Sequence, residues 1–232
     1  MADPKVYIFL DNSNIFISAK QHAEYQDGLT MGAAVRIQFD NLDHIAHADR
    51  PIAKKFAVGA SQQENRLVWE RLRDLGYEIR SSEHGQLSHK EQGVDASLQV
   101  EMLRALADNS EPQIAVLLTG DGAGYDDGVG FHADLARMAD KGWGIEVIAW
   151  ESSCKRALKE WSSSVGVFIP LEKYYQAVTF IEGSRLANPV NLTHRAKATP
   201  PDYDPAKERR REKAKERSRK NNLASQKKKK GR

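Results

Sequence analysis

Short apolar runs separated by stretches of helical period constrain this chain more than any other feature. Val6-Tyr7-Ile8-Phe9-Leu10 and Ile114-Ala115-Val116-Leu117-Leu118 are strand-forming runs without polar alternation, the pattern of a strand covered on both faces. Residues 53–60, with Lys54 and Lys55 near the start, residues 144–150 and residues 165–169 are further candidates, and Tyr77-Glu78-Ile79 is a weaker one. Between them the period changes. Val94, Leu98, Met102 and Leu106 recur every four positions, and residues 64–75 carry Leu67, Val68, Leu72 and Leu75 before Gly76, a helix-stopping residue. Phe131, Leu135, Met138 and Ala139 repeat the pattern before Gly142. Ser152 or Ser153 is placed to cap a helix containing Ala157, Leu158 and Trp161, and Asp40 one through Leu42, Ile45 and Ala46. After Pro170, a helix with Leu171, Tyr174, Tyr175, Val178 and Ile181 is expected, ended by Gly183. The alternation predicts an α/β fold with a mostly parallel sheet between helical layers, and ligands beyond the carboxyl ends of the strands. Residues 25–49 are less regular, and no internal repeat is visible.

With 232 residues, 40% of them apolar, the chain can build one substantial core, which excludes a wholly disordered protein. Its net charge of +3 conceals an uneven distribution. Residues 206–232 hold 14 basic and 3 acidic residues, whereas the rest holds 21 basic and 29 acidic. An acidic body thus carries a basic tail, expected to be disordered or partly helical and suited to attracting a polyanion in a salt-dependent way. Residues 1–182 read as one folded domain. Residues 183–205, with Pro189, Pro200, Pro201 and Pro205, read as a linker that wraps the surface or moves freely. Cys154 is the only cysteine, which excludes an intrachain disulfide and a cysteine-rich metal site. The run before Asp11 is too short for a signal-peptide core or a membrane span. The expectation is a soluble cytoplasmic protein without membrane contact, with Lys227-Lys228-Lys229-Lys230 supporting nuclear import only in a eukaryotic host.

The chemical clue is where the carboxylates fall. Asp11 follows Leu10 at the end of one apolar run, and Asp121 follows Leu118-Thr119-Gly120 in the same relation to another. Asp95 opens the helix containing Leu98 and Met102, where the helix dipole favours negative charge. Each has a bland reading: Asp11 caps a helix or forms an Asx turn with Ser13 or Asn14, Asp121 stabilises a glycine-rich turn, and Asp95 balances the dipole. Gathered at one sheet edge, however, they would repel one another and need a cation or raised pKa values.

The motifs Phe9-Leu10-Asp11-Asn12-Ser13-Asn14, Lys90-Glu91-Gln92-Gly93-Val94-Asp95 and Leu117-Leu118-Thr119-Gly120-Asp121, in this order, resemble the NYN branch of the PIN-like nuclease superfamily over about residues 5–170. The resemblance implies a three-layer PIN-like fold and a metal-dependent ribonuclease site. It carries over Asp11 as central metal ligand, Asn14 as its polar companion, Asp95 as the helix-borne carboxylate and Asp121 as the carboxylate after the later strand. Family members commonly have another aspartate two residues after the position of Asp121, where this chain has Ala123; Asp126 or Asp127 would replace it, with Asp127 as the expected ligand. An oxygen-only donor set suits Mg²⁺ or Mn²⁺. The implied activity is hydrolysis of RNA phosphodiester bonds by an endoribonuclease, with Lys90 as a phosphate contact. Ser13 and Thr119 read first as satisfiers of local turns. RNA is the expected partner, and self-association into a homo-oligomer is left open. The alternative is a noncatalytic RNA-binding or assembly protein with a degenerate site, and a third reading is a divergent phosphatase or DNA nuclease.

Neighbouring motifs fit less well. Gly128-Val129-Gly130-Phe131-His132-Ala133 approaches the dinucleotide-binding spacing but does not directly follow a strand, and no Walker A lysine sequence is present. A phosphoaspartate loop would need a second aspartate at Ser13. The seven histidines lack zinc spacing, and the four tryptophans fit core or interface packing.

Overall fold

The computed structural model describes residues 3–59, 66–80, 90–119 and 129–202, with the side chains of residues 90–95 outside the description. In chain order the elements are β1 (Val6–Asp11), α1 (Asn12–Gln26), α2 (Met31–Ala34), β2 (Val35–Ile37), α3 (Phe39–His47), β3 (Ile52–Val58), α4 (Arg66–Asp74), β4 (Glu78–Ile79), α5 (Lys90–Asp108), β5 (Ile114–Thr119), α6 (Phe131–Asp140), β6 (Gly144–Ala149), α7 (Arg156–Val165), β7 (Val167–Pro170), a 3-10 turn (Leu171–Tyr174), α8 (Tyr175–Val178) and β8 (Thr179–Ile181).

Six strands, one from each apolar run, form an all-parallel sheet in the order β4-β3-β1-β5-β6-β7. Successive side chains point to opposite faces, so the doubly apolar runs generate two cores. Ile8, Leu10, Val116, Leu118 and Ile148 share one core with Ile15 of α1, Leu42 of α3 and Trp69 of α4. Phe9, Phe56, Val58, Leu117 and Val147 share the other with Leu98 of α5, Leu135 of α6 and Leu158 of α7. The result is the expected three-layer α/β fold. Each fully buried large apolar side chain contributes on the order of 1.5–3 kcal/mol.

Several local expectations are corrected. The helix after Pro170 is broken: Leu171–Tyr174 and Tyr175–Val178 turn, but Thr179–Ile181 is extended and pairs antiparallel with β2. Gly183 therefore supplies a positive φ (73°) after a strand, not a helix. Asp40 does not cap α3; Gln38 precedes the helix, and Asp40 in its first turn pairs with Arg71. Neither Ser152 nor Ser153 caps α7, which Lys155 precedes; Ser153 Oγ instead meets Ser18 Oγ at 2.9 Å. The helix carrying Asp95 starts five residues earlier, at Lys90, which puts Asp95 in its second turn, where the dipole contribution is smaller.

Residues 183–202 lie across the sheet. Arg195 buries its guanidinium, donating from Nη2 to Glu146 Oε2 (2.6 Å) and from Nε to the Ile45 carbonyl (3.0 Å). Arg50 makes a two-pronged pair with the same Glu146 carboxylate (2.6 and 2.9 Å), and the Ala198 N–H donates to Oε1 (2.7 Å). Burial alone would raise the Glu146 pKa, but the hydrogen bonds and charges of Arg50 and Arg195 hold it below the ordinary glutamate value. Residues 203–232, with the basic tail, lie outside the described residues.

Candidate active site

The strand order reverses at β1: β3 lies on one side and β5 on the other. In a parallel sheet such a switch point opens a crevice beyond the strand ends. Asp11, the last residue of β1, sits there with 1% of its surface exposed. Its partner in β3 is Val58, and Leu10 pairs with Leu118 of β5, so the next step in register sets Thr119 beside Asp11. Thr119 in turn pairs with Ala149 of β6. Val58, Asp11, Thr119 and Ala149 thus form one row at the strand ends. Alternation along each strand places Asp11 and Thr119 on the face of Phe9 and Leu117, the face covered by α5 and α6.

The Asp11 carboxylate also starts α1. Oδ1 accepts from the Asn14 backbone N–H (3.2 Å), and Oδ2 from the Asn14 side-chain Nδ2 (2.6 Å). The capping role of Asp11 and the companion role of Asn14 are therefore one arrangement: a helix N-terminus and an amide together fix the orientation of the carboxylate. On the β3 side the chain leaves the sheet through Gly59. A Cβ there would come within 2.8 Å of the Trp69 ring and 3.1 Å of Ser13 Oγ, so the backbone passes this close only because residue 59 has no side chain.

Thr119 departs from the turn-satisfying reading. It is a strand residue, fully buried, and its Oγ1 has no hydrogen-bond partner among the described residues. Among the described residues the other buried side-chain polar atoms without partners are Asn12 Oδ1, Trp69 Nε1 and Asp134 Oδ2. Asn12 is the first residue of α1, Trp69 lies against Gly59, and Asp134 is in the first turn of α6. All four belong to the strand-end edge, because the helices joining parallel strands start where the strands finish. Leaving a buried polar group unpaired costs roughly 1–3 kcal/mol, so four such atoms near the strand ends call for an explanation beyond packing.

Asp134 was not singled out by sequence reading. Its signal was its position: three residues after Phe131 and four before Met138, on the apolar side of α6. Oδ1 pairs with Arg137 (2.7 Å), and burial pushes its pKa up against the pull of that guanidinium.

Asp95 lies one turn before Leu98 in α5, whose later turns pack on Phe9 and Val58. Gln99 Oε1 accepts from the Gly130 N–H at the start of α6 (3.3 Å), which brings the amino-terminal part of α5 to the same edge. The side chains of Asp95 and Lys90 lie outside the described residues, as do Asp121, Ala123, Asp126 and Asp127 beyond the end of β5. Among the described residues no three His, Cys, Asp or Glu side chains form a metal-ligating group.

The model of the NYN domain matches residues 5–172, and the match contains this edge and the sheet that carries it. The chain belongs to the NYN family. Membership places it in the PIN-like nuclease superfamily and makes the domain nuclease-like. No curated protein matches the chain. Among solved structures, the NYN chain is similar to a Vibrio parahaemolyticus protein of unknown function, at 13% identity and a TM-score of 0.52 over 72% of this chain and 92% of that one. That likeness concerns the fold alone. Among the described residues no helix is long and apolar enough to cross a membrane.

Proposed function

We propose that this NYN protein is a metal-dependent endoribonuclease acting at the strand-end edge around Asp11. One observation carries the reading: the buried, oriented Asp11 carboxylate shares its edge with buried oxygen atoms that no described residue satisfies, Thr119 Oγ1, Asn12 Oδ1 and Asp134 Oδ2. These are hard oxygen donors, which suits Mg²⁺ or Mn²⁺ and disfavours a softer metal. Asp11, Asp95, Asp121 and Asp127 are the residues that would hold it. Bound there, a divalent ion supplies charge stabilisation for a scissile phosphate and lowers the pKa of water.

The chain's own residues do the rest. Asn14 keeps the Asp11 oxygens from rotating, and the α1 N-terminus offsets part of their charge. Thr119 Oγ1, buried beside Asp11, offers a hydroxyl to a phosphate oxygen or to water. Lys90, at the start of α5, would hold a backbone phosphate, and the basic tail would raise the rate of encounter with RNA without reading its sequence.

The test is cleavage of a single-stranded RNA with Mg²⁺ or Mn²⁺, with EDTA, and by Asp121→Asn protein of unchanged thermal stability. Cleavage lost in the last two conditions is the expected result. Ala123, at the place of a second aspartate, favours one other reading, a noncatalytic RNA-binding protein; the same assay identifies it as salt-sensitive binding without turnover.

A further inference from the structure

Away from the strand-end edge, an open cavity of about 520 Å³ lies between the carboxyl-terminal half of α1, the turn leading into α8, and the segment around Asn188 to Asn191. That volume is in the range of small-molecule sites. Its wall includes His22, which is only 9% exposed. The imidazole packs on Trp150 (centroids 5.0 Å apart) and edge-on against Tyr175 (4.7 Å). It makes no hydrogen bond to any described residue, yet neither ring nitrogen is sealed from the surface among the buried unpaired atoms. With its ring packed on Trp150 and Tyr175, His22 lines the cavity with hydrogen-bonding capacity that no described residue uses. Burial lowers its pKa against the opposing charges of Glu172 and Asp27, so the ring favours its neutral form, one donor and one acceptor.

The rest of the wall narrows the ligand class. Glu172 is occupied: it accepts from the backbone N–H groups of Glu151 and Ser152 and from Ser152 Oγ (2.9, 3.0 and 3.2 Å), so its charge is partly offset. Gln26 brings a whole amide and Asn191 its Nδ2 donor, its Oδ1 already accepting from the Thr193 N–H (2.9 Å), and donor and acceptor atoms of this kind match the edge of a nucleobase. Tyr174, half-buried and packed against the core, also lines the cavity, where an aromatic side chain suits a base, and Lys173 brings an ammonium for a phosphate. We infer that this cavity is a nucleotide-binding subsite in which His22, Gln26 and Asn191 hydrogen-bond a base stacked near Tyr174, with Lys173 on its phosphate. His22 is eleven residues along α1 from Asp11, about 16 Å of helix, so the subsite is separate from the acidic edge but within reach of the same single-stranded segment. The inference deepens the ribonuclease reading and rests on it for the source of the nucleotide; the cavity chemistry is shared by a free mononucleotide and an RNA residue.

The experiment uses the full chain in EDTA, so that binding is read without cleavage. AMP, CMP, GMP, UMP and an unstructured octaribonucleotide are titrated while histidine imidazole resonances are followed by NMR. The expected result is saturable binding that shifts the His22 signals, weakened about tenfold by His22→Phe, which keeps the ring packing, and about threefold by the surface change Gln26→Ala. Asp11→Asn should leave mononucleotide binding unchanged. Tighter His22-dependent binding of the octamer supports the subsite with RNA as its source; equal His22-dependent binding of mononucleotides supports it with a free nucleotide. No saturable binding, or binding indifferent to both His22→Phe and Gln26→Ala, overturns it. The ribonuclease reading fails separately, through the absence of any Mg²⁺- or Mn²⁺-dependent cleavage of RNA by the wild-type chain.

Discussion

Glu146 and Asp11 are both buried carboxylates on the central sheet, and their surroundings differ in kind. Glu146 faces two guanidinium groups and a backbone N–H, and its charge is met inside the fold. Asp11 is oriented by the N–H and amide of Asn14, and beside it the Thr119 hydroxyl has no partner among the described residues. Around Glu146 the fold completes its polar groups and ties residues 183–202 to the sheet; at the strand ends Thr119 Oγ1, Asn12 Oδ1 and Asp134 Oδ2 have no partner among the described residues, a cost to stability that the proposed ligand would recover.

Substitutions at the two carboxylates should therefore have opposite consequences. Asp11→Asn should lower metal-dependent RNA cleavage by about a thousandfold or more, while urea unfolding stays near wild type, because asparagine caps a helix as well as aspartate does. Loss of stability with cleavage retained would break the contrast. Glu146→Ala should cost roughly 3–5 kcal/mol in the same unfolding measurement, since it leaves Arg195 buried and unpaired, and the protein that remains folded should still cleave.

The pH dependence of stability sharpens the Glu146 half. Because its folded pKa lies below the ordinary glutamate value of 4.5, its contribution is fully present above that value and is lost as pH falls through the lower folded value. Unfolding free energies of wild type and Glu146→Gln should converge as the solution is acidified through that window; parallel curves would show that the carboxylate is not what titrates. Thr119→Val gives a smaller effect of unusual sign. Removing an unsatisfied buried hydroxyl should leave stability unchanged or raise it by up to about 1 kcal/mol, while cleavage falls by about tenfold, one hydrogen bond's worth. A destabilised, fully active variant would show that Thr119 is packing alone. The smallest effect belongs to the tail: removing residues 207–232 should weaken RNA association several-fold at low salt and little at high salt, as read by salt-dependent binding curves.

The sheet was legible because its central strands β1, β5 and β6 are apolar runs covered on both faces, a pattern that survives any error in helix boundaries; the edge strand β4, two residues with one exposed, was the weaker candidate. Val35–Ile37 and Thr179–Ile181 were not, because three residues show no period and a two-stranded ribbon depends on tertiary contact. The caps of α3 and α7 were misplaced for a related reason: Asp40 and Ser153 found partners in Arg71 and Ser18, far away in sequence. In the site, Asp11 and Asn14 were readable from their spacing, and the structure adds that they hydrogen-bond each other. Thr119 was underestimated, because sequence cannot show that a hydroxyl lacks a partner. Glu146, a charge inside an otherwise apolar strand, was passed over in the sequence, because nothing local pointed to Arg195, 49 residues away, as its partner.

The central claim is that Asp11, Asp95 and Asp121 share one hard divalent ion at the strand-end edge. Mn²⁺ binding followed by electron paramagnetic resonance, in wild type and in Asp11→Asn, Asp95→Asn and Asp121→Asn proteins, tests it most directly. The expected result is a site whose affinity drops in all three variants while each remains folded. Wild-type affinity retained in any folded one of the three would contradict it.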